Sequence, residues 1–189
     1  AHQAAGRQII ITSTAAIAAQ RLAGELTTAG VKASAYSSAA LHAAITTSQL
    51  PLGPDTTIIH DEAALASTRE QQRLLAAVAH SRARLIVVGD PAQNHPVGAG
   101  GLWPHLETFA TQAGARVELT RNQRARDPAD RRDQALFRDG EHEQAVRGYA
   151  ARERIHITDH QHQAEDRALD AADTDRTAGE TTLRIAPTS

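Results

Sequence analysis

Asp61 and Glu62 stand side by side at the end of a short apolar run, Thr56–Ala63 (TTIIHDEA), and no other pair in the chain is better arranged for chemistry. A strand C-terminus can hold the first carboxylate near a Mg²⁺ bound to nucleotide phosphates, while the second faces an attacking water. A strand that ends in a solvated acidic turn has the same composition, so the pair needs support from elsewhere in the chain. Two further apolar runs end in polar residues: Leu85–Gln93 (LIVVGDPAQ) and Arg116–Arg124 (RVELTRNQR). A phosphate-cradling loop of the form Gly-x-x-x-x-Gly-Lys-[Ser/Thr] is absent from the sequence: its single lysine, Lys32, lies in TTAGVKAS.

The elements that must position these residues alternate between strand and helix, which predicts a parallel sheet with helices on both faces. Gln8–Thr12 reads as the first strand, and Ser13 or Thr14 is placed to cap the helix behind it. Ala15, Ala18, Ala19, Leu22 and Leu26 recur there at helical spacing until Ala29-Gly30. A strand near Ala33–Tyr36 precedes a helix from Ser38 to Thr47, and Pro51-Leu52-Gly53-Pro54 breaks the chain before the Thr56–His60 strand. A helix over Arg69–His80, a strand over Leu85–Val88, a loop over Pro91–Gly101, a helix over Trp103–Gln112 and a strand over Val117–Leu119 follow. Pro128–Arg138 and Glu141–Ala150 read as two short helices; beyond Ile157 the chain turns acidic and rich in His and Gln.

Length and composition narrow the classes. The chain has 189 residues, enough for about one domain with a substantial core. It has no cysteine, which excludes a disulfide framework and a zinc–thiolate site and fits a reducing compartment; a cytoplasmic location is the default expectation. No apolar run reaches the ~18–20 residues of a membrane span. A net charge of −2 gives no global attraction to nucleic acid. Residues 116–154 hold ten Arg against eight Asp and Glu, so most of that segment reads as a solvated helix face with intrahelical pairs. His156, His160 and His162 read as part of a solvated linker, and Trp103 as either a base-stacking ring or a packing anchor. The chain starts at Ala1 and is expected to be a segment of something longer.

The order of these motifs resembles the first motor domain of superfamily 1 DNA helicases. The residues that carry the likeness are Ile11–Glu25 with its Thr12-Ser13-Thr14 edge, Asp61-Glu62-Ala63, Gly89-Asp90-Pro91-Ala92-Gln93 with Val97–Gly101, and Leu119-Thr120-x-Asn122-x-Arg124. Within that superfamily the chain is most similar to the RecD-like branch, above all to the helicase part of conjugative relaxases of the TraA/TraI/TrwC type. The resemblance implies an α/β RecA-like motor domain over 1–155 that lacks its P-loop, an acidic connection over 156–181, and the start of a second motor domain over 182–189. It implies ATP as substrate, Mg²⁺ as cofactor and single-stranded DNA as partner, with 5′ to 3′ movement, and places the missing P-loop and second motor in the same full-length chain. By the same likeness Asp61 holds Mg²⁺ through water, Glu62 orients or deprotonates the attacking water, Gln93 touches the γ-phosphate and Arg124 is the arginine finger. Thr12, Ser13, Thr14, Ser37 and Ser38 face the DNA backbone. His60 stands where the family usually carries an aliphatic residue. Two other readings stay open: an ATPase-inactive module that binds single-stranded DNA, and a P-loop ATPase that is not a helicase.

Overall fold

The computed structural model describes residues 6–92, 101–120 and 122–179. They form two compact units, 1–118 and 119–189. The first is built on four strands, β1 (Gln8–Ser13), β2 (Ser34–Ser37), β3 (Thr56–His60) and β4 (Arg84–Val87), in the spatial order β2-β1-β3-β4. All pairings are parallel, with Ile10 opposite Ser34 and Ile58, and Ile58 opposite Leu85. Parallel strands require crossovers, and α1 (Ala16–Thr28), α2 (Ser38–Thr46) and α3 (Thr68–Ser81) supply them.

Strand periodicity divides the core between the two faces of the sheet. Ile10 and Ile58 point to one face, where they meet Leu41, Leu50 and Leu74 with Ile45 and Val78, so that face is covered by α2 and α3. Their neighbours Ile11 and Ile59 point to the other face, against Ala19, Ala23, Leu22 and Leu26 of α1. Helices therefore cover both faces, giving the α/β RecA-like arrangement expected from the alternation of elements. The cover thins at β4: Ile86 and Val88 are each 40% exposed.

Local sequence explains most helix ends. Ser67 and Glu70 form a capping box at the start of α3, with the Ser67 side chain accepting from the Glu70 amide and the Glu70 carboxylate accepting from the Ser67 amide. Helix α1 closes through Gly30, whose φ of +80° lets the Val31 amide reach the Leu26 carbonyl at 2.8 Å. Its start differs from expectation. The N-cap is Ala15 with no side-chain hydrogen bond, because β1 runs one residue further than expected and commits Ser13 to the ladder opposite Ser37. A second difference concerns residues 117–119, which form no strand. Val117 and Leu119 are 85% and 86% exposed, so their alternation finds no sheet edge to bury against. Helix α4 (Trp103–Gln112) lies where expected.

The second unit contains α5 (Pro128–Arg138), α6 (His142–Ala151) and α7 (Gln161–Thr177). Asp127 caps α5 ahead of Pro128, its side chain accepting from the Ala129 amide at 2.8 Å. Helices α5 and α6 close on a fully buried carboxylate, Asp133. Arg152 donates to it at 2.6 Å and to Asp130 at 2.9 Å, and Gly148 leaves the room: a Cβ there would lie within 2.3–2.6 Å of the Asp133 carboxylate. The Arg152 guanidinium holds the Asp133 carboxyl below the usual carboxylate range. Arg152 is thus a cross-helix clamp rather than one of the solvated charges expected of this segment, whereas Arg147 pairs with Glu143 within α6 as expected. No helix among the described residues is long and apolar enough to cross a membrane.

Candidate functional site

The first unit gathers chemistry at the C-terminal ends of its strands. Pairing continues past the regular ladder there: the Asp61 amide donates to the Thr12 carbonyl (2.8 Å), Val88 to His60 (2.9 Å) and Ala63 to Val88 (2.9 Å). These bonds fix the Asp61–Glu62 turn between the end of β1 and the Gly89-Asp90 exit from β4. Both carboxylates are half-buried, and among the described residues neither side chain is tied by a hydrogen bond or ion pair. Glu62 has φ +51° and ψ +36°, the left-handed region, which costs a residue with a Cβ about 1–2 kcal/mol. The conformation turns the chain into a 3₁₀ turn at Ala63–Leu65.

Gln71 braces that turn from below, and nothing in the sequence had marked it. Its Nε2 donates to the Ala63 carbonyl at 2.6 Å from a position 3% exposed in α3. A glutamine one turn inside an amphipathic helix looks like an ordinary polar position; only its inward placement at Gln71, three residues before Leu74, hints at more. Gly89 is a second support. A Cβ there would lie 2.8 Å from the Trp103 ring and 2.9 Å from the Ala64 amide, so Trp103 is a packing anchor at the β4 exit.

The five hydroxyl residues expected to face DNA divide. Thr12 and Ser13 are each 1% exposed and belong to opposite faces of β1, because strand alternation sends one side chain to each layer. Ser38 turns its Oγ inward as well, where it is buried without a hydrogen-bond partner among the described residues. Ser37 accepts from the Ala40 amide at 3.2 Å as the N-cap of α2. Thr14 alone of the five is exposed. Gln93 and the Gly98–Gly100 stretch lie outside the described residues, as do Arg121 and residues 182–189. Arg124 belongs to the second unit; its amide donates to Asn122 Oδ1 at 3.0 Å in an Asx turn, with the residue exposed.

His60, at the end of β3, is 2% exposed and its Nε2 has no partner among the described residues. Burial pushes its pKa below the usual histidine range, against the opposing pull of Glu70 and Asp61.

Mg²⁺ suits the donor set at this edge. Mg²⁺ takes one or two protein carboxylates and completes its shell with water and phosphate oxygens, and Asp61 with Glu62 offers that much. No group of three or more His, Asp or Glu suited to a metal exists among the described residues.

A parallel sheet with helices on both faces makes the first unit an α/β RecA-like domain. A family model described as an AAA domain matches residues 1–160, most of the chain. The chain belongs to that family. No curated protein matches it significantly.

Proposed function

We propose that the chain is part of the first motor domain of an ATP-dependent superfamily 1 DNA helicase or translocase of the RecD-like or conjugative-relaxase type. The observation that carries this reading is Glu62: a carboxylate without a partner among the described residues, held in a strained backbone at the C-terminal edge of a parallel sheet. Strain of this kind persists when the surrounding structure over-determines it, and here three edge hydrogen bonds and Gln71 do so.

In this reading Glu62 accepts the proton of the attacking water, and Asp61 holds the Mg²⁺ through water. The cation supplies neutralisation of the charge that spreads over the phosphoryl oxygens. Gln93 contacts the γ-phosphate, and Arg124 is the finger that stabilises its transition state. Single-stranded DNA runs over the same strand ends, with Thr14 and Ser37 as the hydroxyls left to position a phosphate backbone. Polarity is 5′ to 3′ by family likeness.

The test is turnover. Residues 1–189 contain no Gly-x-x-x-x-Gly-Lys-[Ser/Thr] run, so by themselves they should bind ATP weakly and release no phosphate in multiple turnovers. In the same chain joined to a P-loop segment and second motor, Glu62→Gln should cut DNA-stimulated phosphate release about 10²–10⁴-fold while leaving nucleotide binding in place. Release that survives Glu62→Gln would remove Glu62 from the mechanism. DNA binding with no ATP hydrolysis by that wild-type protein would assign the chain to an inactive DNA-binding module instead.

A further inference from the structure

Three segments distant in sequence converge on one point beside Gly89. A Cβ there would lie 2.8 and 2.9 Å from Cη2 and Cζ3 of the Trp103 ring and 2.9 Å from the Ala64 amide nitrogen. A residue without a Cβ admits both neighbours, which is the use of glycine where another backbone approaches closely. Ala64 is the middle residue of the Ala63–Leu65 turn, and Glu62 is the N-cap of that turn. The Ala63 amide donates to the Val88 carbonyl at 2.9 Å, so the turn is also tied to the residue just before Gly89. The indole thus sits at the exit of β4, beside the turn that carries Glu62.

Trp103 is the first residue of α4, and α4 has few other holds. None of its residues is buried, and Phe109 is 70% exposed. Trp103, Leu106 and Ala110 are half-buried, and the indole is the largest apolar group among them. Its Nε1 edge is buried. Protein interiors are close-packed and transmit strain, so a ring wedged against two backbones passes a displacement on.

We propose that Trp103 is a positioning residue for Glu62: its ring, lodged in the space that Gly89 leaves free, clamps the Ala63–Leu65 turn from the β4 side, so that α4 and the carboxylate turn move together. Gln71 holds the same turn from α3 through the Ala63 carbonyl at 2.6 Å. Two braces on a three-residue turn suit the left-handed backbone of Glu62, which persists only where its surroundings over-determine it. Positioning in this sense rests on the reading of Glu62 as the group that accepts the proton of the attacking water. It makes α4 a handle on hydrolysis, since whatever displaces α4 displaces the carboxylate. The alternative is a ring that fastens α4 and leaves the turn indifferent.

Trp103 is the only tryptophan, so the tryptophan emission of the 189-residue chain reports this contact alone. Gly89→Ala forces the ring or the turn aside and should shift the emission to the red and raise its quenching by acrylamide. Gln71→Leu loosens the turn from the opposite side while leaving α4 and Gly89 unaltered, and a smaller red shift is expected from it. The reverse direction is read by hydrogen exchange. Trp103→Ala should speed exchange at the Ala63 and Leu65 amides, which donate to the Val88 and Glu62 carbonyls, while amides of α1 and α2 keep their protection. Trp103→Phe, which keeps an aromatic ring, should stay near wild type.

In the same chain joined to a P-loop segment and second motor, Trp103→Ala should lower kcat about 10²-fold, the cost of misplacing a reacting group by about 1 Å, with KM for ATP within about twofold. Trp103→Phe should restore most of the rate, and urea titration of each variant removes the contribution of stability. Phosphate release indifferent to Glu62→Gln would sink the reading of Glu62 itself. Release that needs Glu62 but keeps its kcat in Trp103→Ala would sink only the clamp. Unchanged Trp103 emission in Gln71→Leu, or unchanged exchange at Ala63 and Leu65 in Trp103→Ala, overturns the clamp without reference to catalysis and leaves Trp103 as a fastener of α4.

Discussion

Two buried places in this molecule treat polar groups in opposite ways. Between α5 and α6, Asp133 sits at 0% exposure with Arg152 and Arg132 both donating to it, and the helix opposite gives up a side chain at Gly148 to admit it. At the strand ends of the sheet, Asp61 and Glu62 are left without partners among the described residues, Glu62 is forced into left-handed backbone, and Thr12 Oγ1 and His60 Nε2 are buried with no partner among those residues. The first arrangement stabilises a hairpin. The second carries costs that folding alone does not require, and sites of that kind are where proteins keep binding and chemistry. A carboxylate in a RecA-like sheet is therefore better judged by what it leaves unpaired than by how acidic its neighbourhood is.

The widest gap should appear when one carboxylate from each place is removed. Asp133→Ala strands Arg152 beside an emptied site and should unfold the α5–α6 hairpin, read as loss of helical circular dichroism and of amide protection in residues 128–151. Asp61→Ala should leave the melting temperature unchanged or slightly raised. The acid limb sharpens the contrast. The folded pKa of Asp133 is depressed, so its contribution is present above the ordinary carboxylate value of about 3.9 and is lost as pH falls through the folded value. Asp133→Asn should flatten that loss. A large destabilisation from Asp61→Ala would mean that the strand-end carboxylates are structural too.

Gln71→Leu comes next in size. It removes the donor to the Ala63 carbonyl while keeping an apolar shape in α3, so a buried acceptor loses its partner at about 1–3 kcal/mol. It should also lower turnover in the P-loop-containing protein more than that stability loss explains, because the Glu62 turn is then unbraced. Chemical denaturation alongside phosphate release separates the two effects, and equal losses in both would reduce Gln71 to packing.

His60 gives a smaller, pH-dependent effect. Its folded pKa lies below the unfolded value of about 6.5, so the unfolded chain binds the proton more readily and stability falls as pH drops from about 6.5 toward the folded value. His60→Leu should remove this slope between pH 7 and 5 in urea titrations. A slope that persists belongs to another group.

Much of this contrast could be read in the sequence, and the part that could not has a physical reason. Apolar runs of four or five residues with turn signals between them gave each strand of the sheet to within about two residues, because β-branched Ile and Thr favour a pleated surface. The acidic pair and the Gly89-Asp90 exit were visible from their position after such runs. The direction of hydroxyls was not: Thr12, Ser13 and Thr14 look equivalent in a string, and only the register of β1 against β3 sends Thr12 and Ser13 inward and Thr14 out. Gln71 escaped for a related reason, since its role depends on how α3 folds back beneath the Ala63–Leu65 turn. The 117–119 run shows the reverse failure. Its alternation is strand-like, yet a strand also needs an edge, and local pattern does not supply one.

The smallest effect tests the strain itself. Glycine carries no Cβ penalty at φ +51°, so Glu62→Gly relieves about 1 kcal/mol of backbone strain, offset in part by the greater freedom of glycine in the unfolded chain. The expected result is a stability equal to wild type or higher by up to about 1 kcal/mol. Glu62→Ala separates the contributions: it keeps the Cβ and the strain, and removes the carboxylate that Glu62→Gly also removes. Glycine should therefore be more stable than alanine at this position, whereas both should be equally defective in phosphate release. At an ordinary solvated position the exchange of Glu for Gly or Ala would follow helix and turn propensities, with no such ordering tied to activity. If Glu62→Gly is markedly less stable than Glu62→Ala, the left-handed turn is held by side-chain packing rather than imposed on the backbone, and the contrast between the strand ends and the α5–α6 hairpin loses its strongest member.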